Sequence, residues 1–228
     1  MTLSPTDINQ IKAFISKRGF TQPDLQMEII DHVACRIEKL MTDNSELSLS
    51  EAICLSHAEF GVMGFSVFED AMRTALQKRY WHVFKRLYLA NFTWKTVPLM
   101  AAFIYLVSII FKAVNRPETL FTFSGFILMF GLIINGFVNA NRYKKYTKMF
   151  TYKMGSVYLV ISMVLFQLYN WFFIQLKIYQ FLNADFTGLL FAGVMLLLLI
   201  TFYTINKTQQ HAVNTCKELE GKYMLMSA

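Results

Sequence analysis

Ionisable side chains are almost missing from four long stretches of this 228-residue chain, residues 96–114, 120–138, 154–176 and 186–205. The charges nearest to mid-stretch, Lys112, Lys177 and Asp185, stand close to the stretch ends. Proton-coupled carriers and ion pumps work through ionisable groups at membrane depth, so that class loses its usual support. The stretches also lack the Gly-Pro interruptions that mark a discontinuous-helix substrate site. There is no glycine-rich phosphate loop, and no Ser or Cys sits in a nucleophile signature. The sequence therefore predicts no enzyme and no cofactor. Residues 1–10 lack a basic segment leading into an apolar core, which speaks against a cleavable signal peptide. Cysteine is scarce: Cys35, Cys54 and Cys216 all fall on the side expected to face the cytoplasm, where thiols stay reduced.

What is present is apolar bulk. Hydrophobic residues make up 55% of the chain, with 22 Phe and 11 Tyr, more than a soluble domain usually carries. Each uncharged stretch is long enough to cross a bilayer. The predicted fold is all-α: a cytoplasmic four-helix domain (1–80), a basic and aromatic connector (81–95), a four-helix transmembrane domain (96–206) and a cytoplasmic tail (207–228). Residues 1–80 hold 8 Lys/Arg against 11 Asp/Glu, a net of −3. Residues 81–228 hold 14 against 4, a net of +10 that lies beside apolar segments and not along a soluble face. That placement argues against a nucleic-acid partner and for the lipid bilayer as one.

Basic residues near the segment ends set the expected orientation. One side collects 13 Lys/Arg, including Lys85, Arg86, Lys95, Arg142, Lys144 and Lys145. The other holds only Lys112, Arg116 and Lys177. Both termini are expected in the cytoplasm, with the chain multi-pass in a bacterial inner membrane.

The polar head punctuates itself clearly. Ser4 and Pro5 open a first helix with Ile8, Ile11, Phe14 and Ile15 on its apolar face, and Gly19 closes it. A second helix from Pro23 carries Leu25, Ile29, Val33, Ile37 and Leu40 in one stripe. Ser48 with Glu51, and Ser66 with Glu69, read as capping boxes for a third and a fourth helix. After them, Trp81, Lys85, Arg86, Trp94 and Lys95 suit the headgroup layer, although helix four could equally run straight into the first apolar segment.

The succession of Ile30-Asp31-His32, Ser50-Glu51-Ala52 and Glu59-Phe60-Gly61, leading into membrane segments, resembles the HAAS-type helical domains of bacterial membrane proteins over residues 5–80. It departs from them after Gly61, where Val62-Met63-Gly64-Phe65 replaces a more polar turn. The resemblance implies a head associated with PadR-like transcriptional regulators, or one that prefixes a membrane module.

Three groups of residues are candidate sites. Asp24, Glu28, Asp31 and Glu38 form an acidic face of helix two for a protein partner, against the plainer reading of a solvated face. His32 with Cys35, and Cys54 with His57, could offer two His and two Cys to one zinc ion if their helices ran side by side; core and flanking roles are the stronger reading. Ser124, Gly131, Asn135 and Asn139 share a face of segment two, and Gln167 and Asn170 a face of segment three. Small and amide side chains in that pattern glue membrane helices together. The expected function is a non-enzymatic signalling, regulatory or accessory subunit whose head binds a protein. A small transporter or channel using the Asn135/Asn139 and Gln167/Asn170 faces is the alternative, and a homo-oligomer stays open.

Overall fold

The structure, a computed structural model, describes the backbone of residues 2–226 and the side chains of residues 2–221. Lys222 of the tail, which completes the count of 13 basic residues on the side expected to face the cytoplasm, falls outside the described side chains. All regular structure among the described residues is helical. The chain divides into two compact units. One consists of residues 2–79, 148–154 and 215–226; the other consists of 80–147 and 155–214.

The first unit holds α1 (Pro5–Lys17), α2 (Pro23–Asp43), α3 (Leu49–Ala58) and the start of α4 (Ser66–Leu89). Reciprocal bonds open two of these helices. Ser4 Oγ accepts the Asp7 N–H at 3.3 Å while the Asp7 carboxylate accepts the Ser4 N–H at 2.9 Å, and Ser48 and Glu51 repeat the arrangement at α3. These bonds hold the Asp7 and Glu51 pKa values below the usual carboxylate range. Gly19 leaves α1 at a φ of +94°, which only glycine adopts without strain. The α2 stripe is fully buried at Leu25, Ile29, Val33 and Ile37, as are Ile11 and Ile15 of α1. Burying each such side chain is worth about 1.5–3 kcal/mol. Phe65 closes this core with Phe14, Phe20 and Phe60 around it.

The fourth helix departs from expectation twice. Ser66 donates to the Met63 carbonyl and Glu69 pairs with Arg73, so the second capping box does not form. An arginine one turn on the helical side offers Glu69 a stronger partner than a backbone N–H. The helix then absorbs residues 81–89 of the connector and stops at Leu89, where the Asn91 amide donates to the Leu87 and Tyr88 carbonyls. A turn through residues 90–96 separates it from the next helix.

The second unit contains the end of α4, α5 (Val97–Ala113), α6 (Pro117–Arg142), the end of α7 (Phe150–Ser156), α8 (Tyr158–Asn170) with a π turn over Trp171–Gln175, and α9 (Ala184–Met226) as far as residue 214. Among the described residues, three helical stretches are long and apolar enough to cross a membrane: Pro117–Arg142, Phe150–Gln175 and Ala184–Gly221. The protein is therefore a membrane protein. The first apolar segment forms a helix of only 17 residues, short of the length of the other three. Large apolar side chains on α6, among them Phe123, Phe130, Ile134 and Phe137, are more than half exposed, an arrangement that hydrocarbon tolerates and water does not.

The ends of these helices meet in an aromatic cluster of Phe111, Phe121, Tyr169, Phe173 and Phe191. There Lys112 Nζ lies 2.7 Å from Asp185, and the Tyr179 hydroxyl donates to Glu118 at 2.8 Å. The last turn of α5, the first of α6, the end of α8 and the start of α9 thus share one end of the unit. Beyond the fourth apolar segment α9 stays helical through the described residues. It continues with Thr208, Gln209, Ala212, Val213 and Cys216 buried, a stripe at steps of three and four that keeps one side packed.

Candidate functional site

Asp24 occupies the first turn of α2, directly after Pro23. Its two carboxylate oxygens accept the backbone N–H groups of Phe150 and Thr151, each at 2.7 Å, in the first turn of α7. The first N–H groups of any helix lack partners within it and carry a partial positive charge, so a carboxylate placed there satisfies two donors at once. Asp24 is 2% exposed. The stretch it caps runs on as the membrane-length helix Phe150–Gln175. The acidic face of α2 is therefore divided. Asp24 turns inward to α7, Glu38 is half-buried and accepts the Leu3 N–H at 3.0 Å, and Glu28 and Asp31 remain exposed. Glu28 also lies 3.4 Å from His32 Nε2, its neighbour one turn along.

The two His–Cys pairs do not converge. His32 stacks on Phe68 at 5.2 Å between centroids, and His57 stands edge-on to Phe14 and Phe65. Cys35 and Cys54 are exposed. Among the described residues no three His, Cys, Asp or Glu side chains gather in a metal-holding arrangement. Burial, with the positive charge of Arg18 beside it, lowers the His57 pKa below the ordinary histidine value. Arg18 Nε donates to His57 Nε2 at 3.2 Å, a bond that requires that nitrogen unprotonated.

The polar residues at membrane depth assemble differently from their sequence faces. Asn139 Nδ2 lies 3.2 Å from Asn135 Oδ1, 3.1 Å from Asn206 Oδ1 and 3.1 Å from Gln209 Oε1, so its two protons serve three oxygens. Gln209 Nε2 in turn reaches toward Ser156 Oγ at 3.5 Å. Ser124 pairs with the Tyr169 hydroxyl at 2.7 Å, and that hydroxyl lies 2.9 Å from the Phe121 carbonyl. Gly131 touches no neighbouring helix: a Cβ there would meet nothing within 4 Å. Gln167 is exposed and Asn170 half-buried, and the amides that meet Asn139 come from α9 instead. Among the glycines, Gly155 stands closest to a neighbouring helix, since its Cβ would fall 2.4 Å from that of Ala212.

At the connector, Trp81, Phe84 and Tyr88 form a stacked ladder with 5.8 Å steps. Trp81 is half exposed, Trp94 is 91% exposed, and Lys85, Arg86 and Lys95 are exposed. Sequence reasoning missed Asn206, Gln209 and Ala212 as packing residues. Their signal was the apolar and small stripe that continues past residue 205 at helical spacing.

Comparison with protein-family models, with curated proteins and with solved structures finds no match to this chain.

Proposed function

We propose that this protein is a non-enzymatic regulatory or accessory subunit of the bacterial inner membrane, with a cytoplasmic helical head that binds a protein partner. The observation that carries the reading is the Asp24 clamp. It fastens the first turn of α2 to the start of the helix Phe150–Gln175, so a load on α2 is felt where a membrane helix begins. Glu28 and Asp31 leave an exposed acidic surface on that same helix for a basic partner. A partner seated there would pull on the clamp, which gives the head a means of influencing the membrane part.

The topology that goes with this function has α5 as a fourth crossing. Its 17 residues stand at the lower limit for a span. The cluster joining the end of α5 to the start of α6, and the end of α8 to the start of α9, favours helices that alternate in direction. Four crossings return both termini to one side, the side richer in Lys and Arg.

The test is capture from native membranes with the full-length chain, comparing wild type with Glu28→Lys/Asp31→Lys. A stoichiometric protein held by the wild type and lost on charge reversal, at unchanged melting temperature, is the expected result. Retention of the same protein by both forms, or no stoichiometric protein on the wild type, would overturn the proposal.

A further inference from the structure

A half-open cleft of about 190 Å³ lies between α6, α8 and α9, walled by Ile127, Gly131, Leu165 and Leu199. Through Leu165, Leu198 and Thr201 it adjoins a larger one of about 480 Å³, whose wall includes Phe172 and Phe173 of the π turn. The two hydroxyls that line the first cleft are already engaged by their own helices. Ser162 donates to the Leu159 carbonyl at 2.6 Å and Thr201 to the Leu197 carbonyl at 2.8 Å. Nothing in the cleft solicits a polar solute, and an apolar cavity excludes water but accepts hydrocarbon. Gly131 supplies bare floor, because no neighbour comes within 4 Å of where its Cβ would stand.

The same face of α6 leads to positive charge. Leu128, Gly131, Asn135 and Arg142 follow at steps of three, four and seven, which keeps them on one side of the helix. From Leu132 to Arg142 the helix rises about 15 Å, one leaflet of a hydrocarbon core roughly 30 Å thick. Arg142 and Lys144 are exposed, and no acidic side chain among the described residues pairs with either. Hydrocarbon in the cleft and an anion at Arg142 are thus one leaflet apart, the spacing within a phospholipid.

We propose that an anionic membrane phospholipid binds here, with an acyl chain laid over Gly131 between α6, α8 and α9 and its phosphate at Arg142 and Lys144. A zwitterionic lipid would fill the cleft equally well, but its own ammonium offsets the phosphate and weakens its hold on the two cations. The basic residues therefore decide the headgroup, and the cleft decides whether a lipid is held at all.

The test uses the full-length chain reconstituted in equal parts of phosphatidylglycerol and phosphatidylcholine, extracted in mild detergent and weighed intact by native mass spectrometry. Wild type is expected to retain phosphatidylglycerol over phosphatidylcholine by roughly thirtyfold, the worth of two Lys or Arg at an anionic surface. Gly131→Leu puts a side chain into the cleft and should release lipid of both kinds. Gly136→Leu also points into open space but lies outside the cleft, and should release none. Arg142→Gln, a change on an exposed residue that leaves the core untouched, should weaken the preference by roughly fivefold, the share of one cation, and keep the retention. Lipid-free wild type, unchanged retention in Gly131→Leu, or unchanged preference in Arg142→Gln would each overturn the proposal.

Discussion

Asp24 and Phe150 are 126 residues apart in sequence and joined by a 2.7 Å hydrogen bond from the Phe150 N–H to the Asp24 carboxylate. Thr151 donates to the second oxygen at the same distance. Removing the carboxylate leaves two buried donors unpaired at a helix start, so Asp24→Ala should cost about 2 kcal/mol. Asp24→Asn keeps one acceptor and turns an amino group toward the other N–H; it should lose less than alanine but stay below wild type. Thermal unfolding of the full-length chain in detergent, followed by circular dichroism, checks both. Equal melting temperatures for Asp24→Ala and wild type would show the clamp to be energetically idle.

The clamp also marks the limit of what the sequence made legible. The α2 stripe, the Ser4 and Ser48 caps and the apolar segments were readable because each is a pattern local to one helix. Asp24 carries no such mark. It is one acid on a face of four, and only the arrival of Phe150 and Thr151 separates it from Glu28 and Asp31. Asn139 stood out in the sequence as an amide in an apolar segment, but its partners on α9 did not, because segment three offered amides of its own at Gln167 and Asn170. The buried stripe of α9 past residue 205 is hard to see in the sequence because Lys207, Lys217, Glu218 and Glu220 interrupt the apolar pattern.

Gly155 and Ala212 mark a close helix approach in which the space is already used. Gly155→Ala needs the two helices to part, because the new Cβ would stand 2.4 Å from that of Ala212. A loss of about 1–3 kcal/mol is expected, as for other overpacked sites. Gly155→Ala combined with Ala212→Gly moves the methyl from one helix to the other and should recover most of it. A double-mutant cycle on melting temperature reads the coupling. Additive losses would mean that the crossing tolerates the extra carbon.

The amide cluster predicts a second coupling. Asn139→Leu leaves the oxygens of Asn206 and Gln209 without their shared donor, and should cost about 1 kcal/mol in the membrane. Gln209→Leu should cost a similar amount. The double variant should lose less than the sum, because the second change removes a group already orphaned by the first. Strict additivity in detergent unfolding would show that the two amides act separately.

Stability should also depend on pH through His57. Its folded pKa lies below the ordinary value of 6.5, so the unfolded chain takes up the proton first as pH falls. The stabilisation is whole above the unfolded pKa and is lost progressively as pH drops toward the folded one. Melting temperature should decline below about pH 6.5, and His57→Phe should flatten that part of the curve. A further decline comes from Asp7, Glu51 and Glu59, whose lowered pKa values stabilise the fold only while they stay ionised, and it sets in near the usual carboxylate range. An unchanged slope between pH 7.5 and 5 in His57→Phe would assign the effect elsewhere.

Three native cysteines make the topology measurable. Cys35 and Cys54 are exposed on the head, while Cys216 is buried in α9. With the head in the cytoplasm, a membrane-impermeant maleimide should leave intact spheroplasts unlabelled and modify two thiols per chain after permeabilisation, the third reacting only in denaturant. Asn115→Cys, in the exposed link between α5 and α6, should react from outside before permeabilisation if α5 crosses the bilayer. With only three crossings, the head and the far end of α9 would lie on opposite sides. A shielded Asn115→Cys together with a shielded head would then show that α5 does not span, and the charge count would have to be reassigned to a different set of loops.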